Sequence, residues 1–324
     1  MNGLHTDTAS RPIRIGISSC LLGEKVRFDG GHKHDRYITA TLGEYFEWVP
    51  VCPEMELGLG APRETMRLEQ GNAGVRLVMP KSGRDLTGAM REYATGRARK
   101  LEAEDLSGYI LKSDSPSCGL LRVRVYAATG IPSRTGRGLF AEAIAERLPF
   151  VPIEEEGRLS DPRLRENWVE RVFAYRRLKD LWSSRWTVRT LVEFHTAHKL
   201  TVLSHCPAAY SELGRLVAGA AALPRAELRR LYHEQFMRTL SVLATRGRHT
   251  NVLQHMAGYV KKQLDEESRR ELAGLIDDYR RGEVPLIVPI TLLKHYVRRH
   301  GVSYLAGQVY LNPHPKELAL RNHV

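Results

Sequence analysis

Three cysteines, Cys20, Cys52 and Cys118, stand among small or turn-forming neighbours: Ser18-Ser19-Cys20, Cys52-Pro53-Glu54 and Ser117-Cys118-Gly119. Such surroundings leave backbone N–H groups free to hydrogen-bond a thiolate or sulfide sulfur. Three thiolates suit zinc or an iron–sulfur cluster. They suit equally well a role as small buried core residues, a common fate of free cysteine. The fourth cysteine, Cys206, lies in the other half of the chain and is a doubtful fourth ligand. A metal held by three thiolates keeps an open position, which marks a catalytic rather than a structural site. Polar residues gather nearby. Arg27, Asp29, His32 and Lys33 follow Cys20, Glu54 and Glu56 follow Cys52, and Ser113, Asp114, Ser115 and Ser117 precede Cys118. Glu54, two residues from a cysteine, is placed to move protons at a bound substrate. Arg27 and Asp29 either contact substrate or form a salt bridge that shapes a turn. His32 and His34 read as solvated loop residues.

The elements that must position these groups alternate. Apolar runs at 13–18, 46–52, 75–79, 108–112, 122–126 and 150–153 read as strands, and segments 35–45, 85–105 and 138–148 as helices. Residues 131–137 read as a loop. The pattern predicts an α/β fold, a Rossmann-like domain with a mostly parallel sheet. Each cysteine follows or ends a strand: 13–18 for Cys20, 46–51 for Cys52, 108–112 for Cys118. Loops after the carboxyl ends of parallel strands share one edge, where ligands bind. Cysteines far apart in sequence are therefore expected to meet there.

After a linker at 154–157 the patterns turn helical, over 162–178, 187–200, 210–221, 225–245, 250–264, 266–281 and 290–300. Asp161-Pro162 supplies an N-cap followed by proline at the first helical position. The expected domains are 11–157, α/β, and 158–324, all-α. Charge divides along the same line. Residues 1–157 carry 21 Lys+Arg and 21 Asp+Glu, residues 158–324 carry 28 and 16, so the whole net charge of +12 sits in the second half. Such an excess suits a polyanion, nucleic acid first, or simply a solvated basic surface. Arg/Lys pairs such as Arg176-Arg177, Lys261-Lys262, Arg280-Arg281 and Arg298-Arg299 supply it. Among the aromatic residues, Trp168, Trp182, Trp186, Tyr232 and Tyr259 are candidates for stacking on bases, although aromatic residues on helical stripes are usually core. Cys206 with His205, His195 and His198 is read as packing or RNA-facing in preference to a metal site. No run of eighteen apolar residues occurs, so no membrane span is expected. The polar residues 1–12 lack the apolar core of a signal peptide and read as a frayed tail on a cytoplasmic protein.

Four motifs together carry a resemblance. Ser18-Ser19-Cys20-Leu21-Leu22-Gly23, the run from Val26 to Lys33, Val51-Cys52-Pro53-Glu54 and Ser115-Pro116-Ser117-Cys118-Gly119 resemble the thiouracil desulfidase (TudS) family, over residues 11–155. Phe28 stands where that family often has Tyr. The second half resembles the YbgA-like domain through Phe194-His195-Thr196-Ala197-His198-Lys199, His205-Cys206-Pro207 and Asn251-Val252-Leu253-Gln254-His255-Met256. Proteins joining both resemble the RudS group, which removes sulfur from 4-thiouridine in tRNA. The resemblance implies a [4Fe-4S] cluster held by Cys20, Cys52 and Cys118, with an open iron for the thione sulfur. It implies non-redox hydrolytic desulfuration that yields uridine and hydrogen sulfide. Glu54 is then the base, Ser115 orients water or the ring, Ser117 competes for that role, and Arg27 and Asp29 contact substrate. The partner is tRNA, held by the basic half. A free thiouracil-type substrate and a non-catalytic RNA-binding protein with a structural metal are the rival readings.

Overall fold

Ile13, Ile15 and Ile17 alternate with Arg14 and Gly16, and this period of two makes the first strand of the sheet. The computed structural model describes residues 12–72, 74–127 and 129–323; the polar tail expected at 1–11 lies outside them. Residues up to 160 and from 161 onward form two compact units.

The first unit contains, in order, β1 (Ile13–Ser18), β2 (Phe46–Val51), α1 (Pro53–Glu56), β3 (Arg67–Gly71), β4 (Gly74–Met79), β5 (Arg84–Asp85), α2 (Thr87–Ala103), β6 (Gly108–Leu111), β7 (Val123–Tyr126), β8 (Pro132–Gly136), α3 (Leu139–Arg147) and β9 (Ile153–Glu155). Four strands pair in parallel in the order β2-β1-β6-β9. The chain leaves β1 to one side for β2 and returns on the other for β6. That reversal opens a crevice at the carboxyl ends of β1 and β6. Gly16 lets Tyr109 of β6 lie across β1, since a Cβ there would overlap the phenol ring.

The remaining strands form a second sheet, ordered β5-β4-β3-β7-β8, with only β3 and β7 parallel. Its apolar face (Leu68, Leu77, Val123 and Val125) packs with Met90 and Leu139. One mostly parallel sheet was the expectation; two sheets are found. β3 was not expected because its only buried side chain is Leu68. β8 replaces the loop expected at 131–137. It is an exposed edge strand opened by a proline, so it carries no apolar alternation. The helix expected at 35–45 is instead a wide turn, Tyr37–Thr41, followed by a tight one, Leu42–Glu44. Ile38, Thr39 and Thr41 are poor helix formers, and Thr39 Oγ1 donates back to the Asp35 carbonyl at 3.1 Å.

The second unit is all helical: α4 (Pro162–Ser183), α5 (Val188–His205), α6 (Pro207–Ala218), α7 (Arg225–Ser241), α8 (Arg246–Val260), α9 (Glu266–Arg281), α10 (Ile287–Arg299) and the short α11 (Ser303–Ala306). Asp161 caps α4, accepting from Arg163 N at 2.8 Å and Leu164 N at 3.1 Å. Asp265 caps α9, and Gly282, at φ 85°, ends it in the left-handed region. The chain is thus an α/β unit followed by an all-α unit. Among the described residues no helix is long and apolar enough to cross a membrane.

Candidate active site

A cleft of about 460 Å³ opens at the carboxyl ends of β1, β2 and β6. Cys20, Arg27, Cys52, Glu54, Ser115 and Cys118 all line it. The strand-end argument therefore brings these residues to one place. Asp29 and Ser117 are not in its wall. Asp29 sits in an exposed turn, where its Oδ1 accepts from Gly31 N at 3.0 Å and lies 3.4 Å from Arg27 Nε. The Gly31 N–H and Arg27 hold Asp29 below the ordinary carboxylate value. Ser117 is fully buried beneath the wall.

Glu54 is the centre of the polar network. It lies in α1, the single turn that follows β2 at Cys52-Pro53, and is buried. Ser117 Oγ donates to Glu54 Oε1 at 2.5 Å, and Ser115 Oγ lies 2.9 Å from Ser117 Oγ. Ser115 Oγ already accepts from Cys118 N at 3.1 Å and Ser117 N at 3.4 Å. Its own proton is therefore free for Ser117, and the chain runs Ser115 to Ser117 to Glu54. Cys52 Sγ donates to Glu54 Oε2 at 3.4 Å, and Arg63 Nη2 lies 3.9 Å from the same oxygen. Arg63 is itself anchored by 2.8 Å bonds to the Val26 and Gly60 carbonyls.

Two further groups in this region escaped the sequence reading. Lys112 lies 2.5 Å from Glu156 Oε1, and Glu156 also accepts from Ser113 N at 2.7 Å. Both residues follow strand ends, so the rule used for the cysteines, applied to β9 as well, finds them. Arg63 gave no signal: it sits in a loop between α1 and β3, and only folding brings it to Glu54.

The cysteines require a correction. Cys20, Cys52 and Cys118 were expected to hold a [4Fe-4S] cluster. Among the described residues no three His, Cys, Asp or Glu side chains are grouped so that they could hold a metal ion. The residues do not fit the cluster, and cluster-dependent desulfuration and the metal-binding role of these thiols fall with it. The thiols answer to the protein instead. Cys52 donates to Glu54, and Ser117 Oγ lies 3.7 Å from Cys118 Sγ. Burial pushes Cys20 up to about 11 and Cys52 up to about 12, with Glu54 adding to both. Burial and then Glu54 raise Cys118 well above the ordinary thiol value. Soft-metal ligation takes thiolates, and these are protonated thiols at neutral pH. Native-state alkylation at pH 8 is therefore expected to label Cys20 roughly a hundredfold more slowly than the denatured chain. Peptide mapping by mass spectrometry checks this; equal rates would show an ionised, open thiol.

Cys206 also carries no metal. It opens α6 at its N-cap. His195 Nδ1 lies 3.2 Å from Tyr232 Oη, and His198 stacks on Phe194 with Nδ1 2.8 Å from that residue's carbonyl. Burial lowers His195 to about 4 and His198 to about 3, so both are neutral packing groups.

Comparison with known proteins agrees with this geometry unit by unit. The 2-thiouracil desulfurase family matches residues 15–156, and the family described as a protein of unknown function (DUF1722) matches residues 199–315. The uncharacterized protein YbgA of Escherichia coli (strain K12) is 34% identical over 164 residues, covering 49% of this chain and 95% of YbgA. The chain joins a 2-thiouracil desulfurase domain to a YbgA-family DUF1722 domain. The uncharacterized protein YbbK of Bacillus subtilis (strain 168) is 33% identical over 110 residues, covering 32% of this chain and 72% of YbbK. A solved structure titled "[4Fe-4S]-dependent thiouracil desulfidase TudS" aligns with a TM-score of 0.38 at 29% identity, over 46% of this chain and 94% of that one. The cleft belongs wholly to the desulfurase domain, and its family supports a desulfidase-type enzymatic role.

Proposed function

We propose that this protein is a hydrolytic, non-redox desulfidase acting on a thiolated pyrimidine of tRNA, with 4-thiouridine as the substrate. The observation that carries the reading is Glu54, a buried carboxylate at the wall of a strand-end cleft, fed by two serine hydroxyls in series. Water adds to the ring carbon that bears sulfur, and Glu54 takes the water proton. The C–S bond breaks, sulfur leaves as hydrosulfide, and the returned proton makes hydrogen sulfide. One thione and one water give one carbonyl and one hydrogen sulfide, with no change of oxidation state. Arg27, Lys33 and Arg63 line the same cleft and place positive charge where sulfur becomes anionic. Ser115, in the wall, is the residue that orients water or the ring. Ser117, out of contact with the cleft, positions Glu54.

A thiolated base in folded tRNA has to be turned out of its stack, at a cost of a few kcal/mol. Phosphate contacts then hold the rest of the RNA, and the DUF1722 domain supplies the charge. Part of that charge is already committed. Arg176 pairs with Asp180 at 2.9 Å, Arg177 donates to the Pro313 carbonyl at 2.7 Å, and Arg280 and Arg281 pair with Asp277, Asp278 and Glu283. Lys261, Lys262, Arg298 and Arg299 are exposed and in no ion pair among the described residues. Trp168, Trp182, Trp186 and Tyr232 are buried core, whereas Tyr259 is 40% exposed and packs on Tyr304 with ring centroids 4.8 Å apart. A cytoplasmic site of action suits this substrate.

The test is sulfide release by the full-length protein from thiolated tRNA and from free thiouracil, with nucleoside analysis of the tRNA before and after. Loss of 4-thiouridine with matching sulfide is the expected result. Turnover of free thiouracil alone would overturn the tRNA assignment. Binding of tRNA should also weaken about 10³-fold between about 50 and 200 mM salt if some six phosphates are engaged.

A further inference from the structure

A cavity of about 300 Å³ in the helical unit plays no part in the desulfidase reading. On α4, Glu166 and Glu170 stand one turn apart; both are buried and both line the cavity. Buried Arg321 balances them, with Nε 3.0 Å from Glu166 Oε1 and Nη2 3.7 Å from Glu170 Oε1. His205, the last residue of α5, lies with Nδ1 2.6 Å from the Val242 carbonyl, which can only accept, so the ring donates there. Its Nε2 is 3.5 Å from Glu170 Oε2.

Two polar atoms in this wall are unmatched. Neither Glu170 Oε1 nor His205 Nε2 has a hydrogen-bond partner, although the two residues are only 3% and 1% exposed. An unsatisfied buried polar atom costs about 1–3 kcal/mol. Two of them facing one cavity mark a place where a ligand completes the network. The floor asks for donors. Burial pushes Glu170 up, but His205 and Arg321 outweigh it and bring it down to about 2, so it is a carboxylate that only accepts. Asn167 Nδ2 is taken by the Leu240 carbonyl at 3.0 Å, which leaves Oδ1 as a second acceptor. The mouth asks for an anion. Arg163 and Arg246 are exposed there and in no ion pair among the described residues. Tyr279 adds a flat aromatic wall.

We propose that this cavity binds a nucleotide with a guanine-type base, its N–H edge on Glu170 and Asn167 and its phosphate on Arg163 and Arg246. Guanine alone among the common bases sets a ring N–H and an amino group side by side. Adenine and cytosine put a ring acceptor beside their amino group, against the carboxylate. The volume holds a mononucleotide and no more of a chain. The nucleotide is either free or an unpaired residue of RNA, and the site does not depend on the desulfidase chemistry.

Isothermal titration of the full-length protein with guanosine monophosphate, adenosine monophosphate and guanosine tests this. Saturable binding of guanosine monophosphate is expected, at least tenfold tighter than the adenosine nucleotide. Glu170→Gln turns the acceptor into a donor and should remove that preference. Should its melting temperature show misfolding, the exposed pair Arg163→Ala and Arg246→Ala serves instead. It should weaken guanosine monophosphate at least tenfold and leave guanosine unchanged. A short RNA with one unpaired guanosine binding more tightly than the free nucleotide would place the ligand in RNA; equal or weaker binding would make it the free nucleotide. No saturable binding of guanosine monophosphate up to about 1 mM, or equal binding of both bases, overturns the proposal.

Discussion

Glu54→Gln is expected to lower sulfide release by about 10²–10⁴-fold, the range of a lost general base. Glutamine has the same shape and still accepts from Ser117 at Oε1, so the loop that carries it should stay in place. The melting temperature and circular dichroism spectrum should then match the parent protein. The carboxylate has donors on both oxygens, from Ser117 at 2.5 Å and Cys52 at 3.4 Å. Removing one of those donors should matter less than removing the carboxylate. Ser117→Ala leaves Glu54 ionisable but less well oriented, and a loss nearer tenfold is expected. A Glu54→Gln enzyme that keeps more than about a tenth of parent turnover would remove Glu54 from the chemistry.

Gly138→Ala should damage the same site from a distance in sequence. Gly138 lies before α3 with φ −66° and ψ 141°, a conformation alanine adopts freely. Backbone strain is therefore not at issue. A methyl group there would overlap the Ser117 carbonyl and come within 2.9 Å of Cys118 N. The neighbouring backbone is held by Phe140 N and Ala141 N, which donate to that carbonyl at 3.0 and 3.1 Å. The loop bearing Ser115, Ser117 and Cys118 has to shift, and overpacking of this kind costs about 1–3 kcal/mol. Turnover should fall with stability, because Ser117 is the residue that holds Glu54. Gly96→Ala is the control. Gly96 lies inside α2 with open space around it, so alanine should be neutral or stabilise by up to about 1 kcal/mol. Equal melting temperatures for Gly138→Ala and the parent would show that the loop yields freely.

The α/β-then-all-α order was legible because periods of two and 3.6 survive in any sequence whose strands and helices each bury one face. The meeting of Cys20, Cys52, Glu54, Ser115 and Cys118 at one edge was legible for a related reason. Parallel strands send all their carboxyl-end loops to the same side, so position along a strand predicts position in space. Strands β3 and β8 were not legible, since an exposed or edge strand needs no apolar alternation. Nor was Arg63, which reaches Glu54 from a loop with no pattern of its own. Metal binding was overread. Sequence places residues to within an element, whereas a metal site is decided by whether sulfur atoms converge within a few ångströms and lose their protons. Only the tertiary structure sets that, through burial that keeps the three thiols protonated and through the hydrogen bond that turns Cys52 toward Glu54. The unmatched Glu170 and His205 belong to the same class. Their residue types are plain in the sequence, but a missing partner is a property of packing alone.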